Sequence, residues 1–356
     1  MRYKLLGKSG LRVSGLCLGT MGFKEGLNWG SSQAESQKIY DIFTESGGNF
    51  IDSSNSYGSS EQWLGEFIAT DRGRIVLATK YTGSNLTNDI NSSGSHRKSM
   101  VRSVETSLKR LHTDYIDLLW LNVWDFMTPV QEVMRALDDM IQQGKILYIG
   151  VSNAPAWIVA QANTLAELRG WSAFIGLQIE YNLIAREVER ELLPMAQALG
   201  IGVTAWTPLA SGWLTGKYSR HNCTVSHTAQ PNRLDDPIMG HFVERSDRNW
   251  LIAEEVSKIA QEIGQTPAQV ALNWLRHQNV IPIIGVRTAQ QAKENLDCCN
   301  FNLTEEHIHR LNRISEIELG YPHDFLASNI VKKFIYGGML DLIDVAEYNT
   351  LAKIRG

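Results

Sequence analysis

Short runs rich in β-branched and aromatic residues alternate along this chain with stretches in which apolar residues recur every three or four positions. The first pattern is typical of buried strands and the second of amphipathic helices. Eight strands are predicted, at residues 15–19, 49–52, 75–80, 115–122, 146–152, 175–180, 201–206 and 280–285. Helices are predicted between them at 32–46, 60–69, 97–111, 129–143, 156–169 and 187–199, with two more, 248–263 and 267–277, before the last strand.

Eight repeats of strand and helix predict a parallel sheet and favour a closed (β/α)8 TIM barrel over an open doubly wound sheet. The segment CLGTMGF after the first strand lacks the glycine spacing of an open dinucleotide-binding sheet. The predicted domains are a barrel over residues 1–320, which opens with an N-terminal hairpin, and a C-terminal tail over 321–356 packed on or near it. The stretch 211–247 is predicted to be a long loop after strand seven.

Charge and cysteine usage exclude several classes of function. The formal net charge of −4 gives no electrostatic reason to expect a nucleic-acid partner. No apolar run could span a bilayer, and the first residues lack the core of a signal peptide, so a soluble, cytoplasmic protein is expected.

The cysteines form no CxxC motif, and the adjacent pair Cys298 and Cys299 is expected to be buried rather than redox-active. His307 and His309 would point apart on a helix, so no metal site is predicted.

Barrel enzymes build their sites at the carboxyl ends of the strands, and those ends carry reactive side chains here. Asp52 ends the second strand, Tyr57 follows in the next loop, and Lys80 ends the third strand. Together they suit the delivery of a proton to an oxygen that gains negative charge. A phenol has a pKa of about 10, and a nearby ammonium makes it a better donor. A carboxylate paired with that lysine would hold it in place.

Several motifs in this chain resemble those of the aldo-keto reductases. The stretch GGNFIDSSNSYGSSEQWLGEF contains Asp52 and Tyr57, and LATK ends at Lys80. The motifs GVSN, QIEYN, AWTPLASGWLTGKY and PIIGVRTAQQAKENL follow in order, so that the resemblance covers residues 1–315. It implies a barrel that binds NADP(H) across its mouth. Hydride would then pass to the carbonyl carbon of a small-molecule substrate, an aldehyde or ketone, which becomes an alcohol.

The resemblance also implies roles for individual residues. Tyr57 would donate the proton, tuned by Lys80 and Asp52, and Trp206 would stack on the nicotinamide ring. Arg287 is the best candidate to bind the 2′-phosphate that distinguishes NADP(H) from NAD(H), since a guanidinium suits a phosphate dianion. The full set implied to hold the cofactor is Gly19, Thr20, Met21, Asp52, Ser152, Asn153, Gln178, Trp206, Thr207, Pro208, Leu209, Ser211, Gly212, Lys217, Gly285, Arg287, Gln291, Glu294 and Asn295.

Aromatic residues in the loops after the first and fourth strands predict the substrate pocket. Phe23, Trp29 and Trp124, together with Tyr57, would form its walls. An aromatic-walled pocket would favour a bulky or cyclic substrate.

The fourth strand, in YIDLLWLNVWD, ends at Asn122, where most members of the family have histidine. An asparagine can donate a hydrogen bond to a carbonyl oxygen but cannot relay a proton. Three explanations stay open: the amide suits a substrate that needs orientation more than proton relay, the chain is an NADP(H)-binding sensor or auxiliary protein with weak turnover, or the amide is an engineered replacement. A different reaction, such as epimerisation or double-bond reduction, is a further alternative.

Overall fold

The computed structural model of the chain describes residues 1–26, 29–84, 86, 88–218, 234, 236, 240 and 243–344. Much of the predicted loop 211–247 and the end of the predicted tail, 345–356, lie outside these described residues. The division into a barrel, 1–320, and a tail, 321–356, stays a prediction. No helix in the described ranges is long and apolar enough to cross a membrane.

Eight parallel strands close into a barrel, which confirms the predicted (β/α)8 fold. They are β3 (Cys17–Gly19), β4 (Phe50–Asp52), β5 (Val76–Tyr81), β6 (Ile116–Leu121), β7 (Ile146–Ser152), β8 (Gly176–Glu180), β9 (Gly202–Trp206) and β10 (Ile281–Ile284). Each pairs with its neighbours in chain order, and β10 pairs with β3 to close the barrel. Two further strands, β1 (Tyr3–Leu5) and β2 (Arg12–Ser14), form the predicted antiparallel hairpin.

Helices flank the strands along the chain. They are α1 (Gln33–Glu45), α2 (Ser60–Phe67), α3 (Arg97–Arg110), α4 (Val130–Gln142), α5 (Ala156–Arg169), α6 (Leu192–Leu199), α7 (Asp247–Glu262), α8 (Pro267–His277), α9 (Ala289–Leu296), α10 (Glu305–Ile314), α11 (His323–Ala327) and α12 (Asn329–Tyr336). The predicted sixth helix begins at Leu192 rather than at residue 187, which places Pro194 in the first turn, where its missing N–H is tolerated. Helices α9 to α12 are not among the predicted ones. Two of them are short helices capped by Thr288 and Thr304.

Alternate residues of each strand face the barrel interior. On β6, Leu118 and Trp120 are fully buried there. The Trp120 ring lies against Gly150 of β7 and Gly176 of β8, where a Cβ atom would stand 2.3 Å and 2.8 Å from the nearest ring carbon. The same alternation brings the polar residues at the strand ends toward the mouth of the barrel.

Gly150→Ala is therefore expected to lower the free energy of unfolding by about 1–3 kcal/mol, because the added methyl group overlaps an enclosed ring. Urea unfolding followed by tryptophan fluorescence would measure the change. Gly10→Ala is the control, since a Cβ there meets nothing within 4 Å. Equal losses in the two variants would show that the approach to Trp120 is not the cause.

Candidate active site

The centre of the site is a buried ion pair between the ends of two neighbouring strands. Asp52 is the last residue of β4, and Lys80 lies one residue before the end of β5. The Lys80 ammonium pairs with Oδ2 of Asp52 and also donates to the carbonyl oxygen of Ser53 at 2.7 Å. Oδ1 of Asp52 accepts a hydrogen bond from Nε2 of Gln178 at 3.0 Å. Because both carboxylate oxygens are engaged, the lysine is held in one position.

Tyr57 lies above this ion pair in the loop after β4. The Lys80 Nζ atom is 5.1 Å from the centroid of the Tyr57 ring. Burial acts to lower the pKa of Lys80, but the charges of Asp52 and Tyr57 act against it, and the pKa is raised. Lys80 is therefore a cation at neutral pH, and a cation at this distance favours the phenolate form of Tyr57. The loop itself is fixed by Asn55, whose Nδ2 donates to Oγ of Ser103 at 2.7 Å.

Asn122 directly follows β6 and completes the group of four. Its carbonyl oxygen accepts a hydrogen bond from Nδ2 of Asn153 at 2.8 Å, and its N–H donates to the carbonyl of Tyr81. Within the part of the chain that the structure describes, no group bonds to the Asn122 side-chain amide, and Asn122 lines the cavity described next. The amide is thus available to a ligand. Asn153 has a left-handed φ of 46°, a conformation that asparagine tolerates better than most residues.

A cavity of about 540 Å³ lies over the carboxyl ends of the strands. It contains all four predicted catalytic residues, Asp52, Tyr57, Lys80 and Asn122. Every residue predicted to hold the cofactor lines it except Ser152. Ser152 is fully buried beside Gln178 in the strand register, and its hydroxyl has no hydrogen-bond partner among the described residues. The sequence prediction missed four lining residues, which are Thr215, Ala268, Ile283 and Ile284.

The far side of the cavity is formed by the starts of two helices. Arg287 comes directly before Thr288, which caps α9, and the Arg287 backbone N–H donates to Oε1 of Gln291 at 3.0 Å. Ala268 is the second residue of α8, which begins with a capping box. Helix N-termini carry partial positive charge and unpaired N–H groups, so this side of the cavity favours anionic groups.

The turn after β9 joins the two sides. Thr207, Ala210 and Ser211 all have left-handed backbone angles although none of them is glycine, and Gly212 has a φ of 97°. Such strain is concentrated at ligand-binding turns. Glu180, which the sequence prediction did not include, accepts a hydrogen bond from the Thr207 hydroxyl at 3.3 Å. Burial raises the pKa of Glu180 to about 7.

Three of the four aromatic residues predicted to form the substrate pocket do not line the cavity. Phe23 is fully buried, and its ring packs 6.3 Å from that of Phe67. Trp124 is 6% exposed and belongs to the core between barrel and helices, and Trp29 is 3% exposed, with its indole N–H bonded to Asp236 at 2.9 Å. These rings pack because burying a large apolar ring is strongly favourable. Only Tyr57 of that set faces the cavity.

Two apolar side chains are exposed in the loop that follows Asn122, at the end of the barrel where the cavity lies, although neither is among the residues that line it. Phe126 is 70% exposed and Met127 is 83% exposed. Asp125 fixes this loop, since its carboxylate accepts hydrogen bonds from the N–H groups of Ser95, Met127 and Thr128 and from the Thr128 hydroxyl. Burial acts to raise the pKa of Asp125, but these bonds outweigh it and lower the pKa to about 2. Phe126 itself has a left-handed φ of 56°.

Comparison with known proteins places the chain in a family. Residues 15–316 match the sequence model of the aldo/keto reductase family. A norsolorinic acid reductase of Emericella nidulans is 36% identical over 342 residues, which cover 92% of this chain and 84% of that protein. A norsolorinic acid reductase of Aspergillus flavus is 37% identical over 336 residues, with coverage of 90% and 83%. A putative aryl-alcohol dehydrogenase of Saccharomyces cerevisiae is 33% identical over 345 residues, with coverage of 92% and 90%.

A closed (β/α)8 barrel with its polar groups gathered at the carboxyl ends of the strands is the architecture of a large class of enzymes. The chain belongs to the aldo/keto reductase family. It is therefore an oxidoreductase, from a family that acts on carbonyl compounds and generally uses NAD(P)H. The resemblance seen in its sequence motifs is confirmed.

Proposed function

We propose that this protein is an NADP(H)-dependent reductase that converts an aromatic aldehyde or ketone into the corresponding alcohol, with Tyr57 as the proton donor. The observation that carries the proposal is the arrangement of one cavity. At one side the paired Asp52 and Lys80 lie beneath Tyr57, and at the other side Arg287 stands beside the start of α9. A proton donor beside a cation suits the reaction at a nicotinamide ring. An arginine at the start of a helix suits the binding of the cofactor's phosphates.

The side chains present fit a nicotinamide dinucleotide. Gln178 and Asn153 line the cavity and can hold the carboxamide, with the unpartnered hydroxyl of Ser152 buried next to Gln178, while Trp206 offers a ring face. The strained turn from Thr207 to Gly212 and Lys217 would hold the pyrophosphate. Arg287 and three residues of α9, Gln291, Glu294 and Asn295, would hold the adenosine end of the cofactor, with Arg287 on its phosphate. Arg287 is the basis for proposing NADP(H) rather than NAD(H).

With a nicotinamide held in this cavity, the hydride for the carbonyl carbon would come from its ring. The protein then has to manage the charge that develops on the carbonyl oxygen. Tyr57 gives its phenolic proton to that oxygen, and the Lys80 ammonium stabilises the phenolate left behind. Asp52 keeps Lys80 in position through the ion pair. The Asn122 amide donates a hydrogen bond to the same oxygen and orients it, without taking part in proton transfer.

Two observations support the proposed substrate class, which are the exposed apolar side chains in the loop after Asn122 and the names of similar proteins. Phe126 and Met127 give the loop after Asn122 an exposed apolar surface, at the same end of the barrel as the cavity, and the hydrogen bonds to Asp125 hold this loop in place. Ligand sites combine apolar walls with a few polar groups that fix orientation, which suits a flat aromatic body with one carbonyl. Relatives named for norsolorinic acid reduction and aryl-alcohol dehydrogenation agree with such a substrate.

The experiment is NADPH consumption with benzaldehyde, an aryl ketone and cyclohexanone, each repeated with NADH. We expect turnover on the aromatic compounds, with NADPH preferred. Phe126→Ala should raise KM for the aryl ketone by about tenfold, because one lost apolar contact is worth about 1–3 kcal/mol, and leave kcat little changed. Phe325→Ala, which removes an exposed ring from α11, is the matched control and should leave KM unchanged.

The role of Asn122 decides between this proposal and its main alternative. If the protein turns over as given, the amide is a working part of the site. If NADPH binds but only the Asn122→His variant turns over, the chemistry is latent and Asn122 is disabling. Tight NADPH binding without turnover in either protein would support a sensor or auxiliary function instead.

A further inference from the structure

Two adjacent thiols lie behind the adenosine side of the cavity, and the reaction described above does not use them. Cys298 and Cys299 occupy a single helical turn, Asp297–Cys299, that directly follows α9. Cys298 is fully buried in an apolar cluster with Ala292 and Leu296, whereas Cys299 is partly exposed. The two thiols are close enough for each to influence the pKa of the other. The sequence prediction of a buried pair therefore describes Cys298 but not Cys299.

We propose that Cys298 and Cys299 form a peroxide-sensitive dithiol that closes a reversible disulfide between neighbouring residues, and that this modification weakens cofactor binding in the adjoining cavity. Cys299 is the thiol that a peroxide reaches, and Cys298 is the one that resolves the first product. The effect on cofactor affinity rests on the proposed function, but the formation of the disulfide does not.

The surroundings of Cys299 favour its thiolate. Arg276 lies close enough for its positive charge to act on Cys299, and it also donates to the Cys298 carbonyl oxygen. The neighbouring Cys298 thiol, followed by Arg276 and the chain N-terminus, lowers the pKa of Cys299 to about 6, against the effects of burial and Asp297. The pKa of Cys298 is raised, so it stays a thiol. Cys17 has a raised pKa in the barrel interior, where burial makes it inert.

The turn that carries the thiols directly follows α9 and contacts α8, and residues of both helices line the cavity. The carbonyl oxygen of Cys298 accepts a hydrogen bond from Nδ2 of Asn273 on α8 at 2.9 Å. The side chain of Gln269 on α8 donates to the carbonyl of Glu294 on α9 at 2.7 Å. Glu294 and its neighbour Asn295 line the cavity. A change in the turn therefore reaches residues proposed to bind the adenosine phosphate.

The oxidation proceeds in two balanced steps. The Cys299 thiolate attacks one oxygen of hydrogen peroxide and the O–O bond breaks, which leaves a sulfenic acid on Cys299 and a hydroxide that takes up a proton. The Cys298 sulfur then attacks the Cys299 sulfur, loses its proton and expels the sulfenic oxygen as water. Two thiols have lost two electrons in total, and the peroxide has become two waters.

Closing this disulfide must deform the turn. Neighbouring Cα atoms are about 3.8 Å apart, whereas disulfides usually join Cα atoms about 4.4–6.8 Å apart. The Cys298 sulfur has to leave its apolar cluster, and its carbonyl turns away from Asn273. A strained disulfide is also easily reduced, so thiol reductants should reverse the change.

The test uses the full chain with Cys223→Ala, since Cys223 lies outside the described residues and would complicate the assignment. Hydrogen peroxide should remove two hydrogens from the peptide that contains Cys298 and Cys299, and dithiothreitol should restore them. The Kd for NADPH, measured by titration of the binding itself, should rise about fivefold or more on oxidation. Cys299→Ser should show neither change, while Cys298→Ser should give a dimedone-reactive sulfenic acid on Cys299.

The outcomes separate the parts of the proposal. An unchanged peptide mass, or equal oxidation in Cys299→Ser, overturns the dithiol. A disulfide that forms without any change in the Kd for NADPH overturns its coupling to the cavity. Absence of NADPH binding by the reduced protein would contradict the proposed function, and the mass measurement would still report on the disulfide.

Discussion

Tyr57→Phe is expected to lower kcat for aryl carbonyl reduction by about 10²–10⁴-fold, because it removes the group proposed to donate the proton. The phenyl ring keeps its place beside Lys80, so the fold and the Kd for NADPH should stay close to those of the parent protein. Steady-state kinetics and NADPH titration on the same preparations would measure both quantities.

Tyr81→Phe provides the matched control. It makes the same chemical change one residue after Lys80, but the Tyr81 side chain is fully buried and does not line the cavity. We expect its kcat to remain within about twofold of the parent value, whereas a comparable loss would point to an effect through packing. Retention of full activity by Tyr57→Phe would show that another group supplies the proton.

Lys80→Met is expected to lower the free energy of unfolding by about 3–5 kcal/mol and to abolish most of the activity. Methionine keeps the volume of the side chain but leaves the Asp52 carboxylate buried without its counter-charge. The activity should fall because the phenolate proposed to form at Tyr57 would lose its neighbouring cation. Denaturant unfolding and steady-state kinetics would measure the two losses.

A double variant separates the loss of stability from the loss of activity. Asp52→Asn combined with Lys80→Met removes both charges and keeps an acceptor for Gln178, so most of the stability should return while the activity should not. If the double variant were as unstable as Lys80→Met, the uncompensated carboxylate would not be the cause. If it were active, the cation would not be needed.

The stabilisation that the Lys80 ammonium gives the folded protein should decrease only at alkaline pH. The pKa of Lys80 is raised in the folded protein, so the ammonium contributes its full stabilisation below the unfolded pKa of about 10.4. That stabilisation is lost as the pH rises through the raised folded value. The difference in unfolding free energy between the parent and Lys80→Met should therefore be constant near neutrality and shrink only under strongly alkaline conditions.

The sequence by itself determined the order of strands and helices and the end of the barrel at which the reactive side chains lie. Periodicity is a local property, so it identified all eight barrel strands within a few residues of their bounds. Parallel strands bring their carboxyl ends to one face of the barrel. The sequence alone therefore predicts that Asp52, Lys80 and Asn122 lie together. Helix α9 was not predicted because it has only eight residues, all of them within the motif PIIGVRTAQQAKENL, whose polar side chains indicate a cofactor site more strongly than a helix.

Only the tertiary structure decided which side chains of the loops are buried and which are exposed. Phe23, Trp29 and Trp124 have the composition of a substrate wall, yet their rings pack into the core, while Phe126 and Met127 are held at the surface by Asp125. The same holds for Cys298 and Cys299, adjacent residues with different exposure. A sequence pattern records the identity of a side chain, whereas its exposure depends on segments that lie far away along the chain and meet only in the folded protein.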